Sequence, residues 1–212
     1  MKKGIIFDVD GTLWDACAVI ADSWNDYLKK YVSDVDVVLT VQDIRGVMGM
    51  TMKDIADTLF PMIEEPRRGE IAEAIFAYEV EYMKEQGGEI YPDTVDTLRE
   101  LAKDYHIYIC SNCQLGYIDD FIHHAGVADI VEDFVSYGDT SKPKDYNIRL
   151  VAERNQLDQA VYVGDTQGDH DSTMKAGLPF IFAGYGMGQV KESVPTIAGM
   201  KELPEMVKKI LG

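Results

Sequence analysis

Two carboxylates stand one residue apart at the end of an apolar run, Ile5-Ile6-Phe7-Asp8-Val9-Asp10-Gly11-Thr12. Aspartate is a poor strand former, so chemistry accounts for the pair better than folding does. In an extended chain, side chains at i and i+2 point the same way. One acid can then attack an electrophile while the other gives or takes a proton. Gly11 frees the backbone to turn and to come close to a ligand. Three further polar clusters recur along the chain. Ser111-Asn112 follows the apolar run His106–Cys110, Lys142-Pro143 opens a helical pattern, and Gly164-Asp165-Thr166-Gln167-Gly168-Asp169 follows Ala160–Val163.

Such clusters act together only if the fold gathers them. Short apolar runs at 106–110, 134–137, 160–163 and 179–183 alternate with helical patterns at about 93–103, 115–125, 143–154 and 167–176. That alternation predicts βαβ units in a parallel sheet covered on both faces, and ligands bind such sheets beyond the carboxyl ends of the strands. Between the first strand and residue 90 the texture is helical. Trp14, Ala18, Ile20, Ala21, Trp24, Tyr27, Leu28 and Tyr31 recur at steps of three and four, and residues 33–41 form a polar turn and a short apolar run. Ile44, Val47, Ile55 and Leu59 suggest two short helices split at Gly46–Gly49, and Pro66 can start a long helix to about Gln86, stopped by Gly87-Gly88. The expected organisation is an α/β core of residues 1–13 and 90–212, a Rossmann-like parallel sheet, with an all-helical insert at 14–89.

Read in order, Asp-x-Asp-Gly-Thr, Ser-Asn, Lys-Pro and Gly-Asp-Thr-x-x-x-Asp resemble the haloacid dehalogenase superfamily. The likeness is to its phosphatase branch with a helical (C1-type) cap inserted after the first motif, and especially to the phosphoglycolate phosphatase-like group. It covers nearly the whole chain, and four motifs in order are far more specific than a lone Asp-x-Asp. The resemblance implies that Asp8 is the nucleophile, taking a phosphoryl group as an aspartyl-phosphate, and that Asp10 is the general acid and base. It implies Mg²⁺ held by Asp8, the backbone carbonyl of Asp10, and Asp165, with Asp169 as a further metal-side acid. Ser111, the backbone around Asn112, and Lys142 would bind the phosphate, and Thr12 would orient the turn. Gly49, Met50 and Met52, on the cap loop facing the site, would help select the substrate. The dehalogenases of this superfamily lack an acid at the place of Asp10, so phosphoester chemistry is expected over carbon–halogen cleavage.

Two rivals stand beside this reading. A β-phosphoglucomutase-like enzyme would use the same Asp pair, but that group usually has a basic residue soon after the cap glycine, where this chain has Met50-Thr51-Met52 and only then Lys53. A non-catalytic binding module on the same fold is opposed by the intact acids at these sites.

Bulk properties narrow the partners. The chain has 212 residues and a net charge of -17, which argues against nucleic acid or an anionic membrane surface. An anionic substrate therefore needs local positive charge, such as a divalent cation and a placed lysine. No apolar stretch is long enough to span a membrane, and no basic-then-apolar leader opens the sequence. Cys17, Cys110 and Cys113 make an odd set without a disulfide framework. The expected setting is the cytoplasm, with a small phosphorylated metabolite as partner and a monomer or small homo-oligomer as the working form.

Plainer roles compete at several positions. Asp165 and Asp169 can serve as a helix cap and a first-turn acid. Lys144 competes with Lys142, which the Lys-Pro match favours. Cys110 and Cys113 form a C-x-x-C, yet they bracket Ser111-Asn112, so Cys110 is expected to be a core residue rather than a redox group. His123 and His124 are adjacent on a helix and diverge by about 100°, so they are expected at the surface. His170 is expected on a helix face. Met48, Met50, Met52 and Met62 can be cap core or pocket wall.

Overall fold

Strand β1, Lys3–Phe7, is a short apolar run that is buried from Gly4 onward. Its residues alternate between two cores. Ile5 and Phe7 face one cluster with Ile107, Ile109, Val161 and Val163, whereas Ile6 faces another with Tyr108, Tyr162 and Phe180. A strand buried on both faces belongs to the centre of a parallel sheet covered by helices on each side. The computed structural model describes residues 1–212 except Ser33, so the sequence expectation there lies outside the described residues.

After β1, a two-residue strand β2, Trp14–Asp15, leads into four helices: α1 (Cys17–Tyr31), α2 (Val41–Val47), α3 (Met52–Leu59) and α4 (Arg67–Gln86). Strand β3, Glu89–Ile90, then pairs antiparallel with β2, so both chain crossings run through one short ribbon. The core follows with α5 (Thr94–Leu101), β4 (His106–Ser111), α6 (Tyr117–Ala125), β5 (Val131–Ser136), α7 (Tyr137–Thr140), α8 (Lys144–Arg154), β6 (Gln159–Gly164), α9 (Gln167–Ala176), β7 (Phe180–Ala183), β8 (Thr196–Ile197) and, after a 3-10 turn at Met200–Glu202, α10 (Leu203–Leu211). The order is β5-β4-β1-β6-β7-β8 and every pairing in this sheet is parallel. This is the α/β, Rossmann-like sheet expected from the sequence.

Register positions the chemistry. Phe7 is level with Ile109 on β4 and with Val163 on β6. Asp8 therefore emerges one step beyond, close to Ser111 and Asp165, and its N–H donates to the Val163 carbonyl (2.9 Å). The chain moves outward from β1 first through β4 and β5 and then, on the other side, through β6 to β8. β1 thus sits where the strand order reverses, and a crevice opens there.

Several local expectations need correction. Trp14 does not start a helix. It lies in the ribbon, fully buried, with its ring edge-on to Tyr117 (5.5 Å) and Phe121 (5.3 Å) of α6. Ala18 and Tyr31 point outward from α1, because its buried stripe follows Ile20, Ala21, Trp24 and Leu28. The strand placed at 134–137 ends at Ser136, because Ser136 and Asp139 form a reciprocal capping box that starts α7. The C-terminal β8 and α10 lie beyond the sequence expectations: β8 is only two residues long, whereas α10 buries Leu203, Val207 and Leu211 at helical spacing.

Candidate active site

Asp8 is 2% exposed at the end of β1. Its Oδ1 accepts from Lys144 Nζ at 2.9 Å, and the same ammonium donates to Asp169 Oδ1 at 2.5 Å. Burial pushes the Asp8 carboxyl up to about 6, against the lowering pull of Lys144, while the charge of Asp169 raises it further and the Ser111 hydroxyl lowers it. Lys144 remains cationic because the two carboxylates outweigh its own desolvation.

The lysine expected here was Lys142. That residue is exposed, and its backbone is committed to the turn, with its N–H donating to Thr140 Oγ1 (3.1 Å) and its carbonyl accepting from Asn147 Nδ2 (3.2 Å). Pro143 caps α8, which makes Lys144 the first helical residue. Helical side chains tilt toward the N-terminus, and the N-terminus of α8 faces Asp8. The Lys-Pro pattern thus marks the turn, and Lys144, two positions beyond Lys142, is the lysine that reaches Asp8.

Asp10 is held differently. Its Oδ1 accepts from Trp14 Nε1 (3.0 Å) and from the Tyr117 hydroxyl (2.7 Å). Its apolar setting pushes the carboxyl up to about 7, with Tyr117 opposing and the charge of Asp8 adding to the rise. Neither Trp14 nor Tyr117 was singled out as a site residue. Only the ribbon and α6 bring them to Asp10, and the one local signal is that Tyr117 lies six positions beyond Ser111.

Asp165 completes the carboxylate cluster. Its Oδ2 accepts from the N–H groups of Met187 (2.7 Å) and Gly188 (3.2 Å), in the loop after β7. Its Oδ1 is buried with no hydrogen-bond partner among the described residues. Burial, reinforced by Asp169 and Asp8, holds the carboxyl well above the usual range. Gly11, at φ +79°, passes so close that a Cβ there would collide with the Asp165 carboxylate. Oxygens of Asp8, Asp165 and Asp169 lie within 4.8 Å of one another. A buried all-oxygen set with one orphaned acceptor fits a hard divalent cation such as Mg²⁺. Asp169 is the least free of the three, because its Oδ2 also accepts from the Thr166 N–H (3.0 Å) and hydroxyl (2.7 Å), capping α9. It therefore does the capping job and the site job at once.

The remaining expected residues fall around this cluster. Ser111 is buried at the end of β4 beside Asp8. The Asn112 side-chain amide donates to the Gly49 carbonyl (3.1 Å), joining the end of β4 to the loop after α2. Thr12 is buried in the turn after Asp10, its N–H donating to Val9 and its carbonyl accepting from the Tyr185 hydroxyl (2.7 Å). Gly49 sits at φ +81° against Thr166. Met48, Gly49, Met50 and Met52 line a cavity whose floor is Asp8, Asp10 and Ser111. Met62 lies outside it and is 58% exposed.

Cys17, Cys110 and Cys113 are free thiols, all buried, and burial raises each well above the ordinary thiol range. The ring nitrogen of His124 meets the carbonyls of Met83 and Lys84 at the end of α4. His170 is mostly buried on α9, with Asp171 and Glu192 beside it. No helix among the described residues is long and apolar enough to cross a membrane.

Residues 5–183 match the family model described as haloacid dehalogenase-like hydrolase. A phosphoglycolate phosphatase of Rhodobacter capsulatus is 27% identical over 190 residues, 85% of this chain and 84% of the relative. A haloacid dehalogenase-like family hydrolase from Streptococcus pneumoniae superposes with a TM-score of 0.80 at 20% identity, covering 97% of both chains. A β-phosphoglucomutase from Clostridium difficile does so at 0.76 and 15% identity, covering 99% of this chain and 98% of that one.

Proposed function

Since the chain belongs to the haloacid dehalogenase-like hydrolases, we propose that it is a Mg²⁺-dependent phosphatase that hydrolyses a small phosphomonoester through an aspartyl-phosphate. The observation that carries this reading is the unequal treatment of the two strand-end acids. Asp8 is clamped by a buried lysine, whereas Asp10 has one oxygen engaged by Trp14 and Tyr117 and an environment that favours its protonated form. Divergent settings of neighbouring acids are how one site holds a nucleophile and a general acid together.

In the first half-reaction an oxygen of Asp8 bonds to phosphorus while the bond from phosphorus to the leaving oxygen breaks. Asp10 passes its proton to that oxygen, so an alcohol departs. In the second, water attacks the same phosphorus, Asp10 takes its proton, and the bond to Asp8 breaks. Lys144 and the Ser111 hydroxyl meet the charge that develops on the phosphoryl oxygens. Asp8, the Asp10 carbonyl and Asp165 would hold Mg²⁺, which when bound neutralises phosphoryl charge. Asp169 positions Lys144 and caps α9. Residues 14–89 act as a cap that closes over the substrate and excludes bulk water. The buried free thiols accord with a reducing cytoplasm, and the working form is a monomer or small homo-oligomer.

The mutase alternative finds less support. Met50 and Met52 line the cavity, while Lys53 is turned outward and paired with Asp57 (2.5 Å). What carries over from the relatives named phosphoglycolate phosphatase is the reaction; the leaving group is chosen by the cap.

The test uses two variants. Asp8→Asn should lose several orders of magnitude in turnover of p-nitrophenyl phosphate with Mg²⁺ while keeping its cooperative melt. Asp10→Asn should still form phosphoenzyme from that good leaving group but hardly from alkyl phosphates. Activity of Asp8→Asn within about tenfold of wild type would overturn the mechanism.

A further inference from the structure

Over Asp8 and Asp10 the described cavity lining brings no cationic side chain. Its cap wall is largely apolar and aromatic, with Trp24 from α1, Met48 and Met50 after α2, and Phe76 from α4. One ionisable side chain interrupts that wall. Glu79 lies one turn beyond Phe76 on α4, is 3% exposed, and lines the cavity together with Asp10. Its Oε2 accepts from Trp24 Nε1 (2.6 Å) and its Oε1 from Gln114 Nε2 (2.8 Å). A carboxylate has about four acceptor sites, so two protein donors leave capacity for a ligand.

Glu79 is costly where it stands. Burial pushes its carboxyl up to about 7, although both donors favour the ionised form. The phosphoryl chemistry does not use it, because Asp8 and Asp10 fill the roles of nucleophile and proton carrier. Nor is it there to balance a neighbouring cation. Among the described residues lining the cavity there is no lysine, arginine or histidine. The insertion's nearby cations are spent elsewhere, Arg45 on Asp15 (2.6 Å), Lys53 on Asp57 (2.5 Å) and Arg68 on Asp57 (2.8 Å). Lys144 lies below, held by Asp8 and Asp169.

Resting on the phosphomonoesterase reading above, we propose that the substrate is the phosphate ester of an amino alcohol, its ammonium group received by Glu79 beside the rings of Trp24 and Phe76. An ammonium supplies the donors that the remaining Glu79 lone pairs lack, and aromatic side chains add attraction for a cation. A leaving group bearing a carboxylate would instead be desolvated against Glu79 with no counter-charge, the costly case for a buried ion. The global field acts in the same direction, since an ammonium removes one negative charge from a ligand approaching a chain of net charge -17.

The experiment compares kcat/KM of the full chain with Mg²⁺ for phosphoethanolamine, its neutral isostere propyl phosphate, and 2-phosphoglycolate. p-Nitrophenyl phosphate is run first as a check on the underlying reading. Phosphoethanolamine should exceed propyl phosphate by about tenfold or more, and 2-phosphoglycolate should fall below both. In Glu79→Gln the ratio of phosphoethanolamine to propyl phosphate should drop toward one. Aryl phosphate turnover together with a preference for 2-phosphoglycolate, or a ratio unmoved in folded Glu79→Gln, overturns this proposal alone. Silence on all four esters overturns it together with the phosphatase reading. Should Glu79→Gln fail to fold, the wild-type ranking decides.

Discussion

Lys144 Nζ stands 2.9 Å from Asp8 Oδ1, and both side chains are 3% exposed. A lysine this deeply buried persists only where carboxylates hold it, and Asp169 supplies the second at 2.5 Å. The contact joins the first residue of α8 to the residue that follows β1, so the turn Ser141–Pro143 sets which ammonium meets Asp8.

Removing that ammonium leaves two buried carboxylates without their counter-charge. Lys144→Met should cost about 3–5 kcal/mol in urea unfolding and lower turnover by about two to three orders of magnitude. Lys142→Ala, at an exposed position, should stay within about 0.5 kcal/mol of wild type. The opposite ranking would return the phosphate-site role to Lys142.

Chelation should abolish phosphate release, and Mg²⁺ should restore it. Ca²⁺ should restore it poorly, because its looser and larger coordination sphere can draw in the second oxygen of Asp8. Asp165→Ala should raise the Mg²⁺ concentration for half-maximal rate far more than Asp169→Ala does. Asp169→Ala should show more in its melt, since it loses the α9 capping box, worth about 1 kcal/mol, and one partner of Lys144. Full activity in chelator would remove the metal from the scheme.

Met50, in the loop after α2, and Met52, the first residue of α3, line the cavity. Replacing both with alanine should change relative kcat/KM among small phosphates by about 1–3 kcal/mol, the scale of pocket contacts. Aryl phosphate turnover should change less. Loss of a cooperative melt with an unchanged substrate ranking would assign the pair to packing instead.

Glu79 gives a pH signature in stability. Its carboxyl is raised by burial from 4.5 to about 7, so the unfolded chain ionises it first. Its contribution to stability is therefore full below about 4.5, falls as pH rises through the window, and levels off above about 7. Glu79→Gln cannot ionise, so its stability relative to wild type should rise across that window by on the order of 2–3 kcal/mol. Urea midpoints at about pH 4.5 and about pH 8 measure the change. A difference that stays flat with pH would mean that Glu79 is not held as a raised, buried acid.

Much of the fold was legible because each element had a local cause. Gly177 and Thr166 bracket α9 as a C-terminal glycine and an N-cap, and the run Gln159–Gly164 was recognisable from its apolar centre alone. Trp14 is ambiguous in the sequence because an aromatic residue at helical spacing looks the same whether it packs in a helix or in a two-residue ribbon. The loop around Met187 has no periodicity, so nothing local could link it to Asp165, twenty-two positions earlier.

The sequence by itself determined the order of chemical groups, the strand ends on which they sit and the helical stretch between them, because turn chemistry and apolar periodicity are local properties. Only the tertiary structure decided which groups meet. It chose Lys144 over Lys142, bound Trp14 and Tyr117 to Asp10, closed the Met187–Gly188 amides on Asp165 and faced Glu79 into the cavity. Those choices depend on helix direction, strand register and the packing of the insertion on the core, which bring distant positions within hydrogen-bond reach and leave no trace in residue spacing.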